Sequence, residues 1–174
     1  MSRAKRASGE AGPAAPTTIR PFSSSLPMAL LRVREAVMRP FRRSLQGFGL
    51  TEQQWRAMRA IAAHSEIDAT RLSGLTFLLA PSLTRILRDL EARKLIARRT
   101  NPDDGRAVLI SMTPKGSALI AEIGADSERI YALIEGRLGS ERMKALMASL
   151  AEVEEDLAGL EDHKDGEAHP LPRP

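Results

Sequence analysis

Leu30, Val33, Val37 and Phe41 recur at steps of three and four, with Leu31 and Met38 beside them. That spacing predicts an amphipathic helix. Ser25 precedes it as a candidate N-cap, with Pro27 in the first turn. Pro40 is expected to kink or end the helix, because proline removes a backbone donor and crowds the preceding turn. Gly47 and Gly49 close the segment. Thr51-Glu52-Gln53-Gln54 fits a capping box before a second helix, whose apolar face is Trp55, Met58, Ile61 and Ala62. Asp68 is placed to cap a short third helix ending near Gly74. Leu75 to Leu79 read as a turn, and Ala80-Pro81 opens a fourth helix.

The period then changes. Leu95 to Thr100 read as a strand, Asn101-Pro102-Asp103-Asp104-Gly105 as a tight turn, and Arg106 to Met112 alternate with Val108, Ile110 and Met112 on one side. This is a β-hairpin. Thr113-Pro114 caps a long helix carrying Leu119, Ile123, Ile130, Leu133 and Ile134, interrupted near Gly136 and Gly139. From Ser140, a last helix places Met143, Leu146, Leu150, Val153, Leu157 and Leu160 on a narrow seam of the kind that packs against another helix. The expected fold is mainly α with a small β-hairpin wing: a winged helix-turn-helix over 51–112 and a helical dimerisation region from 23–50 and 113–160. Residues 1–22 and 161–174, rich in Pro, Gly and charge, read as a disordered basic arm and a disordered tail.

The net charge of +4 conceals an asymmetry. Residues 1–112 hold 19 Lys/Arg against 9 Asp/Glu, whereas 113–174 hold 7 against 13. A basic first part suits a polyanion, and the acidic remainder suits something else. Aromatic residues are only 3%, too few for base-stacking platforms, so duplex DNA fits better than single strands. With no cysteine, thiolate zinc and cysteine catalysis are excluded, and with three histidines, two of them in the tail, a histidine metal cluster is not expected. No cofactor is implied. No nucleophile–base set or phosphate-cradling glycine loop is visible, so an enzyme is not expected. No run approaches the ~18 apolar residues of a membrane span, and the basic N-terminus lacks the apolar core of a secretory signal. A cytoplasmic protein is expected.

The fourth helix carries the functional argument. At ~100° per residue, Leu83, Ile86, Leu87 and Leu90 share one arc, while Arg85 and Arg88 fall opposite with Ser82 and Thr84 on the flanks. Two guanidinium groups one turn apart can fork to guanine or to phosphate. Arg93, Lys94, Arg98 and Arg99 follow at once. Arg106, at the hairpin turn, is placed to enter a minor groove. The DNA-binding candidates are therefore Ser82, Thr84, Arg85, Arg88, Arg98 and Arg106. Solvated surface arginines are the alternative.

LTEQQWRAMRAI and LAPSLTRILRDLEARKLIARRTNPDDGRAVLISMTPKG resemble MarR-type repressors, over about Ser25 to Leu160. The resemblance implies a homodimer of winged-helix lobes on pseudo-palindromic operator DNA. It also implies that Asp104 orients the wing and Arg106 touches the minor groove. Lys94 departs from the pattern, since that family usually has glycine after the recognition helix; lysine there should be strained by roughly 1 kcal/mol, or the helix ends differently. SLPMALLRVREAVM followed by LTEQQWR is similar to the subgroup controlling aromatic-acid catabolism, such as homoprotocatechuate or nicotinate breakdown. That implies a small aromatic carboxylate as effector.

The residues of the first helix point the same way. Arg34 projects about 40° from Leu30, inside the apolar stripe. A buried guanidinium needs an anion: an internal carboxylate, or a ligand carboxylate; a snorkelling side chain is a further reading. Ser25, Arg34, Trp55, Met58 and Phe77 are the ligand candidates; Trp55 is better suited to the core, and Ser25, which suits a cap, is placed near the ligand only by what the resemblance of its SLP motif implies. A constitutive or architectural DNA binder without effector, and a protein-docking module, are the competing functions.

Overall fold

The computed structural model describes residues 21–102 and 108–158. By its contacts the chain divides after Ala36 into two compact units. In the first, a short 3-10 turn, Phe22–Ser24, leads into helix α1, Leu26–Gly47, which continues into the second unit. Here Leu26, Leu30, Leu31 and Val33 are 45–55% exposed.

In the second unit follow α2 (Glu52–Ala62), β1 (Ile67–Asp68), α3 (Ala69–Thr76) and α4 (Ala80–Ala92). Then come β2 (Ile96–Thr100), β3 (Val108–Met112), α5 (Pro114–Leu138) and α6 (Ser140–Ala158). The capping box before α2 forms as expected: Gln54 N donates to Thr51 Oγ1 at 3.2 Å, and Thr51 N to Gln54 Oε1 at 2.8 Å. Asp68 caps α3 and Thr113 caps α5, each accepting from the amide three residues on. The expected hairpin is an antiparallel pair, Ile96 opposite Met112 through Thr100 opposite Val108. Its turn, residues 103–107, lies outside the described residues, as do both termini and Leu160.

Three local expectations change. Pro40 does not end α1, which runs on to Gly47. A single missing donor is outweighed because the residues beyond it are anchored: Phe41 and Leu45 are buried, and the Phe41 ring meets Tyr131 edge-on at 5.0 Å. Helix α3 reaches Thr76, two residues past Gly74. The two-residue β1 pairs with β3, Ile67 opposite Ile110, giving a three-stranded sheet in the order β1-β3-β2.

One core joins these elements. Met58, Ile61, Leu72 and Leu90 are 0% exposed, and Leu83, Leu95, Ile110 and Ile123 pack with them. Leu87 and Trp55 complete the underside of α4. Burial of this apolar face, rather than helix propensity, holds α4 in place. The α6 seam differs: Leu146, Leu150, Val153 and Leu157 remain 40–45% exposed.

Candidate nucleic-acid interface

Helix α4 divides as its periodicity predicts. Leu83, Leu87 and Leu90 are buried, while Ser82, Thr84, Arg85 and Arg88 are exposed. The side chains of Arg85 and Arg88 have no hydrogen bond or ion pair among the described residues. The Thr84 hydroxyl donates back to the Ala80 carbonyl at 2.9 Å, so it faces outward only as an acceptor. The exposed side of α4 is a cationic ridge rigidly backed by core.

The other basic residues behave differently. Arg98, read from the sequence as a DNA contact, turns its Nη2 to Glu91 at 2.8 Å, and its Nε is buried without a partner. It is a strut from β2 to the end of α4, because Glu91 offers a carboxylate within reach. Arg99 grips Glu66 through two donors, at 2.6 and 2.5 Å, tying β2 to the segment before β1. The Arg99 hydrogen bond holds the Glu66 carboxyl below its ordinary value. Asp104 and Arg106 lie outside the described residues.

The rear end of α4 is clamped by residues that periodicity did not single out. Arg93 donates to the Gly49 carbonyl at 3.0 Å and to the Phe48 carbonyl at 3.4 Å, gripping the turn that ends α1. Lys115 Nζ donates to the Arg93 carbonyl at 3.0 Å, and Thr113 Oγ1 to the Lys94 carbonyl at 2.7 Å. Lys94 takes the left-handed conformation, φ 59°, that favours glycine. Lys94 N then bonds Glu91 O, and Leu95 N bonds Leu90 O, closing the helix end. Buried Leu90 and Leu95 supply the apolar pair typical of that closure. The departure at Lys94 was the one sequence signal for this clamp.

The ligand candidates sit in unlike surroundings. In the first unit, the Ser25 hydroxyl donates backward to the Phe22 carbonyl at 3.1 Å instead of capping α1. Arg34 is not buried; its side chain is 44% exposed and meets the adjacent Glu35 at 3.1 Å, beside Leu30, Leu31 and Val33, which are exposed too. In the second unit, Trp55 (8% exposed) and Met58 (0%) belong to the core, whereas Phe77 stands 85% exposed. Among the described residues no group of acidic or histidine side chains could hold a metal, and no helix is long and apolar enough to cross a membrane.

Comparison with known proteins places this geometry. A family model described as the MarR family matches residues 48–107. The HTH-type transcriptional regulator FarR of Neisseria gonorrhoeae is 38% identical over 137 residues, 77% of this chain and 94% of that protein. The homoprotocatechuate degradative operon repressor of Escherichia coli is 38% identical over 128 residues, 74% of this chain and 86% of that protein. Among solved structures, NadR in complex with 4-hydroxyphenylacetate superposes with a TM-score of 0.68 at 36% identity. That match covers 79% of this chain and 97% of NadR.

Proposed function

Because the chain belongs to the MarR family, we propose that it is a ligand-responsive repressor of an operon for aromatic-acid breakdown. It binds a pseudo-palindromic operator as a homodimer. One observation carries the proposal: α4 buries one face and leaves Arg85 and Arg88 outward and without partners among the described residues. Each lobe lays Ser82, Thr84, Arg85 and Arg88 in a major groove, with Arg106 at the neighbouring minor groove. Arg98 is left as a strut. A second copy of the chain covers the exposed seam of α6 and, separately, the apolar residues of early α1, since uncovered apolar residues in a row are costly in water.

The effector class follows the relatives, one named for a homoprotocatechuate operon and one solved with 4-hydroxyphenylacetate. Arg34 is the candidate partner for the ligand carboxylate, released from Glu35 as the ligand binds. A ligand shifts operator affinity only by its differential affinity for two states; a coupling of ~1–3 kcal/mol weakens binding ~5–150-fold.

The test is fluorescence anisotropy with a duplex enriched by the protein from a random pool. Affinity is expected to fall steeply with salt, and to fall again when 4-hydroxyphenylacetate or a related acid is added. Arg34→Ala should keep operator affinity and lose the acid response. Absence of any enriched duplex removes the DNA-binding reading. An enriched duplex indifferent to every aromatic acid removes the effector alone.

A further inference from the structure

The front of α4 differs from the fronts of three neighbouring helices. Helices α2, α3 and α5 each begin on a side chain, Thr51, Asp68 or Thr113, that accepts a hydrogen bond from the first turn. Helix α4 begins on Leu79, which makes no such bond and is 78% exposed. Leucine is a poor N-cap and gains nothing from water, so this position gives up local stability twice. Ala80 and Pro81, next in line, are exposed too. The result is an apolar tip at the leading end of a helix whose outer face is cationic. A local rule broken without a packing benefit marks a functional position.

The cations decide what the tip meets. Arg85 and Arg88, exposed and without partners among the described residues, suit a polyanion and oppose burial against an apolar protein surface. When the second helix of a helix-turn-helix docks, its N-terminal residues are the ones that reach base edges. The major-groove floor offers one apolar group, the C5-methyl of thymine. We infer that Leu79 is a specificity-determining residue that packs on a thymine methyl in each half-site. This rests on the reading of α4 as the DNA-reading helix, and adds to it a contact that none of the polar side chains makes.

The contact can be tested atom by atom, because deoxyuridine differs from thymidine only in that methyl. In the enriched duplex, thymines are replaced singly by deoxyuridine and affinities compared for the wild type and Leu79→Ser. The wild type should bind about three- to fivefold more weakly when the contacted methyl is missing, the ratio expected for one buried carbon. Leu79→Ser should bind both duplexes equally. Serine also restores a cap, so the variant should melt about 2–4 °C higher, separating a folding defect from the lost contact. Indifference of the wild type to deoxyuridine at every position overturns the inference, as does an unchanged thymidine-to-deoxyuridine ratio in Leu79→Ser. If the pool yields no binding duplex, the DNA-reading proposal fails and takes this inference with it. A duplex that binds but ignores the methyl leaves that proposal standing alone.

Discussion

Gly116 lies in the first turn of α5, where alanine would ordinarily favour a helix over glycine by about 0.8–1.0 kcal/mol. Here the neighbours reverse the sign. A Cβ on Gly116 would stand 2.0 Å from the Leu95 carbonyl oxygen, 2.9 Å from its carbon and 2.6 Å from Met112 Cε. The methionine tip can swing away, but the backbone must retreat by more than about 1 Å to reach ordinary contact. That carbonyl accepts from Thr113 N at 3.1 Å, and Thr113 Oγ1 in turn caps Gly116 N at 3.0 Å. Overpacking costs about 1–3 kcal/mol, and a weakened cap about 1 more. After the propensity gain, Gly116→Ala should lose about 1–3 kcal/mol. For a chain of this size that is a midpoint about 2–12 °C lower. The assay is thermal and urea unfolding followed by far-ultraviolet circular dichroism, at one fixed chain concentration because a dimer's stability depends on it. Gly74→Ala is the control: its Cβ meets nothing within 4 Å, so propensity alone acts and the variant should be slightly stabilised. If Gly116→Ala unfolds at or above the parent midpoint, the close approach of α5 to Leu95 is wrong.

Lys94→Gly should stabilise the protein by about 0.5–1 kcal/mol, because φ 59° is strained for lysine and free for glycine; an unchanged or lower melting point refutes the strain. Arg88→Ala should weaken operator binding by about 1–3 kcal/mol and leave the melting point unmoved, as a side chain without protein partners requires; equal affinity in anisotropy titrations removes it from the interface. Glu66 titrates below its ordinary value in the folded chain, so its contribution is intact above pH 4.5 and is lost as pH falls below it. Glu66→Gln should therefore show a shallower loss of stability on acidification than the wild type; parallel curves would exclude the Arg99 pairing.

Elements whose cause lies within a few residues were legible beforehand. The Thr51 box, the Asp68 and Thr113 caps and the inward stripe of α4 all appear as read, because caps and helical periodicity are local. What the residues did not foretell was set at a distance. Pro40 is carried by the anchorage of Phe41 and Leu45. Strand β1 exists only because β3 offers it an edge. Arg98 was grouped with the DNA contacts by its place in a basic run, yet Glu91, seven positions earlier, captures it across the gap between helix and strand. Arg34 was expected to be buried from the stripe around it, but a helical wheel does not say whether a stripe is covered within one chain. Phe77 is similar: its apolar character suggested a wall, and the end of α3 turns it outward. Asp104 and Arg106 fall outside the described residues, so their roles still rest on the sequence.

The clamp at Arg93 and the uncapped start at Leu79 make α4 a lever with a hydrogen-bonded heel and a toe held by the packing of Leu83. Ala80–Ala92 spans thirteen residues, about 20 Å of helix axis. A tilt of roughly 3° at the heel, from any shift of the turn that ends α1 or of the first turn of α5, therefore carries the toe by about 1 Å. Misplacement of that size is enough to part a hydrogen-bonding fork from a base edge. The amplification resides in the asymmetry between the two ends, and requires no bending of the rod itself.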